Sequence, residues 1–504
     1  MSTKRKTIVF AFLQYAQLAL TMAYGVFLLP VYIKYLNADM YGAWLASGNI
    51  VSWLQIIVPD CGQVLMQRLG DAYARKDIPR FSGMATTGNL VTLTLGLVIV
   101  LFAWLVGNHL DILLKLPSSV DAQKLGTAFV LTAIGTGMIV YTQAYSSANL
   151  ALQATGYYGV INLAASFIRI LVIIYGLFVA KQGVLTLGMG NLIYGACLLL
   201  GHSGVYLKVC FRKKISIVAK PTSLKELASL FSFSTFARIG ETFARNVDYF
   251  LVARFFGPEV TTSLKLIKSV PEAILPFIRT TTHSILPPLI QQIANGRIKQ
   301  NKSILMEFTG KLLMFCCFVL GGISVLNKAF IGLWIPGSQF LFGYISFLII
   351  AGLVLASASD VFRSYVMAAG CINDVSLIIG ISSLVQALCL YVMTWQFGLI
   401  GLAVIPLCIY IATISLFIIR FKKELQLQWS DFKGVAADVT VGSFLALLAG
   451  LTIIKMPADT WGAFFKSVVI YIGMFLLLGL LGSRDLRRLS RRVWRKMPLA
   501  GSKV

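Results

Sequence analysis

Eight ionisable residues stand inside two apolar segments near the middle of the chain: Arg238, Glu241, Arg245 and Asp248 in the first, Lys265, Lys268, Glu272 and Arg279 in the second. At about 100° per residue each set occupies one helical face, within an arc of under about 90°. Ionisable groups in hydrocarbon are costly, so they face a wet cavity or a partner. In the first set, neighbours three or four apart alternate in sign and can pair along one helix. That pattern serves either as a self-neutralised seam between helices or as a cavity wall that holds and exchanges charge. In the second set three cations meet a single acid, so pairing within the helix leaves positive charge over. Lys265 lies near the segment's end, where it can snorkel. Arg169 adds a lone cation in the middle of another apolar segment. An Arg or Lys at the bilayer centre costs about 2.5–3.5 kcal/mol on insertion scales. Arg238, Arg245, Lys268, Arg279, Arg169 and Lys265 are therefore the expected anion-binding group. Glu241, Asp248 and Glu272 are the acids expected to exchange partners, and one of them to carry a coupling proton.

Other polar residues carry weaker signals. Asp60 follows Pro59, which frees a backbone carbonyl and marks a flexing point. Asp360 and Arg363, three apart, read equally as a gate pair or an interfacial ion pair. Arg254 and Lys311 stand near segment ends and are expected to snorkel. Gln14, Gln17 and Thr21 share a face that suits sugar hydroxyls or, more commonly, helix–helix contact. Tyr15, Tyr24, Trp53, Tyr145 and Tyr249 could stack on sugars, although packing is the commoner use of such residues. There is no GKS or GKT phosphate loop, no HExxH and no GxSxG, so neither ATPase nor hydrolase chemistry is expected. The eight Cys lack a CxxC and the three His are scattered, so no disulfide framework, metal site or cofactor is expected.

These residues are carried by a chain of 504 residues, 58% hydrophobic and 12% charged, with a mean hydropathy of +0.81. Soluble proteins carry about twice that charged fraction. The pattern predicts an all-α polytopic membrane protein of about 14 spans and excludes a β-barrel. The segments run 8–33, 41–66, 83–107, 123–147, 158–180, 184–207, 228–254, 263–288, 308–331, 341–367, 375–397, 400–420, 434–455 and 461–482. The first is too long for a signal peptide and is read as a retained span. The net charge of +25 gathers at Lys4–Lys6, Arg75–Lys76, Arg212–Lys214, Lys422–Lys423 and the tail from Arg484 to Lys496. Those clusters fall at alternate connections, which places both termini in the cytoplasm and makes nucleic-acid binding a poor explanation of the charge. Leu486, Leu489, Val493 and Met497 recur among the tail arginines, as in an amphipathic helix on anionic lipid or in a disordered topogenic tail.

A shift of about 220 residues lays Asn37-Ala-Asp39 over Gly257-Pro-Glu259 and matches span and loop positions in the two halves. The organisation expected is an N-lobe (1–210), a cytoplasmic linker (211–227), a C-lobe (228–421), two further spans (422–483) and a basic tail (484–504). Six spans per half make the repeats parallel, around a central cavity, as in transporters.

The stretch Leu29–Trp44 (LPVYIKYLNADMYGAW), with Pro59-Asp-Cys-Gly62, Arg68–Ala74 (RLGDAYA) and Arg254-Phe-Phe-Gly-Pro-Glu259, resembles the polysaccharide-export branch of the multidrug/oligosaccharidyl-lipid/polysaccharide (MOP) superfamily, close to Wzx-type O-antigen flippases. The resemblance implies two six-helix lobes around a central cavity, in a bacterial or archaeal cytoplasmic membrane. It implies a polyprenyl-diphosphate-linked oligosaccharide as cargo, moved outward by proton- or sodium-coupled alternating access. Polymerase and chain-length proteins are the implied partners. The basic excess fits an anionic diphosphate. Lipid II flippases carry arginines in the first span, where this chain has Gln14 and Gln17, so that cargo is the alternative. A cation/drug antiporter would want an acidic cavity, and a membrane polymerase or ligase a large outer loop.

Overall fold

In its described residues, each of the fourteen apolar segments falls on a helix or a pair of helices. The computed structural model describes residues 3–56, 61–216, 233–294, 298–336, 343–454, 456 and 458–482. The helices are α1 (Thr3–Leu36), α2 (Ala38–Ile56), α3 (Cys61–Ala74), α4 (Ile78–Gly107), α5 (Leu110–Leu114), α6 (Ala122–Ala151), α7 (Thr155–Phe178) and α8 (Leu185–Lys213). They continue as α9 (Phe233–Asn246), α10 (Asp248–Phe256), α11 (Pro258–Ala294), α12 (Ile298–Trp334), α13 (Gly343–Ala368), α14 (Ile372–Phe397), α15 (Leu399–Glu424), α16 (Lys433–Ile453) and α17 (Trp461–Gly482). Among the described residues there is no strand, and ten helices are long and apolar enough to cross a membrane. Large apolar side chains face outward along them, as Leu97 and Leu101 of α4 do at about 60% exposure. Such faces suit lipid, which satisfies none of the backbone's polar groups and so favours helices. The chain is a multi-pass membrane protein.

Packing divides the described chain into two units: Met1–Leu264 with Ser376–Gln396, and Lys265–Val375 with Phe397–Val504. The first is built on α4, α6 and α8, whose backbones touch. A Cβ on Gly96 would lie 2.7 Å from the carbonyl oxygen of Gly137, and one on Gly195 would lie 2.3 Å from that of Gly135. Small residues allow this approach, which replaces side-chain interdigitation with dispersion between backbones. Asn191 fastens α8 to α6 by donating to the Thr132 carbonyl at 2.9 Å.

In the same unit α2 meets the start of α11. Asn37, at φ 64°, ends α1, and its side chain accepts from the Met40 amide to cap α2. Gly257, at φ 93°, turns the chain into Pro258, the first residue of α11. Thr262 then donates to the Ala38 carbonyl at 2.6 Å. Gly42 faces Pro258 so closely that a Cβ there would lie 1.7 Å from the Pro258 carbonyl oxygen.

In the second unit α12 packs on α16 and α17. Tyr471 of α17 lies over Gly321 and Gly322 and donates to the Phe318 carbonyl at 2.7 Å. α13 packs on α15 through Tyr365 and Phe421, whose ring centroids are 5.5 Å apart. Thr309 of α12 meets the Tyr365 hydroxyl at 3.0 Å.

Candidate functional site

The first charged segment is not one helix. α9 stops at Asn246 and α10 starts at Asp248, with Val247 between them. Side chains at the break compete for the backbone: Asn246 donates to the Thr242 carbonyl at 2.7 Å, and Asp248 accepts from the Tyr249 amide at 2.7 Å. Asp248 is buried. One turn earlier, Arg245 pairs with Glu241 at 2.8 Å, the i, i+4 arrangement open to this face. Trp53 of α2 packs between Phe243 and Phe250, at 4.8 and 5.1 Å between centroids. Arg254 does not snorkel freely: it donates to the carbonyls of Leu113 (2.5 Å) and Ile112 (3.3 Å). It thereby closes the C-terminus of α5, a short helix in the connection between the apolar segments 83–107 and 123–147.

Arg169 stands apart from these charges, among α1, α7 and α8. Its guanidinium lies 5.5 Å from the ring centroids of both Tyr24 and Tyr194. Among the described residues it has no carboxylate and no hydrogen bond, and its Nε is buried without a partner. Tyr32 donates to the Tyr24 hydroxyl at 2.7 Å. The stem of Arg169 runs beside Gly190, where a Cβ would lie 3.7 Å from its Cγ.

In the second unit Lys265 pairs with Glu272 at 2.5 Å, two turns along α11. Lys268 is half-buried between them on the same helix. Pro271 lacks an N–H, so the Ile267 carbonyl four residues earlier loses its helical donor. Buried Asn327 of α12 supplies one in its place, donating to that carbonyl at 3.1 Å. Sequence reasoning passed over Asn327. The proline announces that a donor is needed, but not which helix provides it. Asp360 and Arg363 meet at 3.7 Å on α13. Asp60, the side chains of Gln14, Arg238 and Arg279, and the tail from Arg484 lie outside the described residues.

Lys311, expected to snorkel, instead pairs with Asp438 of α16 at 2.9 Å. Gly310 makes room for it: a Cβ there would lie 2.3 Å from Asp438 Oδ2. Beside that pair an open groove of about 720 Å³ runs between α12 and α17. Ile304, Phe308, Phe315, Phe318, Phe475 and Leu476 make it apolar, and Glu307 and Lys311 supply its charged groups. This groove was not legible beforehand, because it depends on which helix α17 chooses as its neighbour. No cluster of three or more metal-ligating side chains occurs among the described residues.

No protein-family model and no curated protein matches this sequence. Solved structures do match its fold. "Lipid II flippase MurJ, inward closed conformation" superposes with a TM-score of 0.66 at 15% identity, over 95% of this chain and 100% of that one. The MATE multidrug transporter DinF-BH gives 0.57 at 14% identity, over 85% and 98%. A MOP superfamily transporter from Pyrococcus furiosus, described as having a binding pocket of reverse polarity, gives 0.51 at 11%, over 87% and 97%. With 85–95% of its length covered in these superpositions, the chain has the fold of the MOP superfamily of transporters.

Proposed function

We propose that this protein is a flippase for an anionic, polyprenyl-diphosphate-linked oligosaccharide. It carries the sugar unit from the cytoplasmic to the outer leaflet of the cytoplasmic membrane by ion-coupled alternating access. The observation that carries this reading is the groove between α12 and α17. A trough of about 720 Å³, open at the side and apolar apart from Glu307 and Lys311, suits a long hydrocarbon tail that stays near lipid while its headgroup crosses elsewhere. A water-soluble drug has no use for such a trough. The uncompensated Arg169 adds a reason to expect an anionic headgroup, and a cationic drug would be repelled by it. The similarity in fold to a lipid II flippase points the same way.

In this reading Arg238, Arg245, Lys268 and Arg279 contact the diphosphate or acidic sugars as the cavity turns. Glu241, Asp248 and Glu272 exchange partners during the cycle, with a proton or sodium ion as the coupling species. Both termini lie in the cytoplasm, and a polymerase receives the product on the far side.

The test uses purified protein in liposomes with a fluorescent prenyl-diphosphate-linked oligosaccharide, scored by quenching from one side. Wild-type protein should equalise the label between leaflets. Leu476→Glu, which puts charge into the groove, should stop transfer while leaving the protein folded by size exclusion. Transfer at the wild-type rate in that variant would remove the groove from the argument. Transport of a cationic dye in place of the labelled lipid would overturn the assignment.

A further inference from the structure

Arg169 stands within an apolar span, and no carboxylate or hydrogen-bond acceptor among the described residues answers its charge. Arginine keeps its proton in protein interiors and offers five N–H donors in a planar fork. Here those donors meet two aromatic faces and no acceptor among the described residues. Cation–π contact recovers part of the lost solvation, but it leaves the hydrogen-bonding edge of the guanidinium unused. The surroundings keep it that way. Tyr24 and Tyr194 confine the group from two helices.

The tyrosines add a second donor. Tyr32 donates its proton to the Tyr24 oxygen, at 2.7 Å. The Tyr24 proton must therefore point elsewhere, and it has no acceptor among the described residues. A fork of N–H groups and a phenolic O–H, all donors with no acceptor beside them, is the complement of a phosphate oxyanion.

We propose that Arg169 and Tyr24, with Tyr194 as the second wall, form a phosphate-binding site in the first unit, built from residues of α1, α7 and α8. The ligand class is a lipid-linked phosphate or diphosphate. Arg169 binds its oxygens through the guanidinium fork and Tyr24 donates one hydrogen bond. The proposal rests on the flippase reading for the source of the phosphate, but not for the site itself. Such a holding point would bind the headgroup within the first unit itself.

The experiment measures binding in nanodiscs of neutral phosphatidylcholine by the change in thermal midpoint. The probes are geranylgeranyl diphosphate, geranylgeraniol and, in separate discs, phosphatidylglycerol. Wild-type protein should bind the diphosphate and be stabilised far less by the alcohol. Arg169→Gln should weaken diphosphate binding at least about tenfold and leave the response to the alcohol unchanged. Tyr24→Phe, which keeps the ring and removes only the donor, should weaken it less. Arg169→Lys should recover part of the loss. An equal response to phosphatidylglycerol, lost in Arg169→Gln, would assign the site to phospholipid phosphate. Diphosphate binding undiminished in both Arg169→Gln and Tyr24→Phe overturns the proposal. Because the readout is binding, it stands or falls whether or not the protein moves oligosaccharide across the bilayer.

Discussion

Gly42→Ala adds one methyl group where α2 meets α11, and the geometry sets a large cost. The new carbon would lie 1.7 Å from the Pro258 carbonyl oxygen, against an ordinary contact of 3.4 Å or more. The obstacle is backbone, so no rotamer change relieves it, and the two helices must part by something on the order of the shortfall. Overpacking of a well-fitted interior costs about 1–3 kcal/mol, and a backbone-to-backbone clash belongs at or above the top of that range. About 3 kcal/mol shifts a population more than about a hundredfold. Gly48 lies on the same helix with nothing within 4 Å of its Cβ position, so Gly48→Ala should stabilise by about 0.5–1 kcal/mol through helix propensity alone. The assay pairs thermal unfolding in detergent with crosslinking between cysteines at Ala38 and Thr262, which are neighbours across the contact of α2 with α11. Gly42→Ala should lower the midpoint and the crosslink yield, and Gly48→Ala should lower neither. Wild-type melting and full crosslinking in Gly42→Ala would refute the close approach.

Asn327→Ala should destabilise by about 1–3 kcal/mol, because it strands a buried carbonyl. In a Pro271→Ala background the helix supplies its own donor and the same change should cost much less, a non-additivity that a double-mutant cycle in denaturant reads directly. At the N-terminus of α6, the Lys124 amide donates to the Asp121 carboxylate and holds its pKa below the usual carboxylate range. A lowered folded-state pKa stabilises above the unfolded value and is lost as pH falls through the folded one. The melting difference between wild type and Asp121→Ala should therefore be full at neutral pH and close below about pH 4. A gap independent of pH would exclude this role.

What was legible from sequence is what depends on one helix at a time. Fourteen apolar runs became helices because a lipid-spanning backbone has no other way to satisfy its polar groups. The pairing of Glu241 with Arg245 follows from spacing, and so does the shared face of Lys265 and Glu272. What escaped depends on a second helix. Lys311 looked like a snorkelling lysine because its partner, Asp438, is 127 residues away. The tyrosine walls around Arg169 come from α1 and α8, and nothing in α7 announces them. The interruption at Val247 was hidden for another reason: hydropathy averages over a whole span, whereas Asn246 and Asp248 act on the backbone within a single turn.

The contact of α4, α6 and α8 through bare glycines has a mechanical consequence. Packed helices usually slide by letting a layer of side chains change rotamer, and that layer is missing where Gly96 meets Gly137 and Gly135 meets Gly195. A push on any one of the three should pass to the others undiminished, as through a solid lever. Bending would then have to happen elsewhere, at interruptions such as Val247 and at prolines, where a span has already given up part of its own ladder.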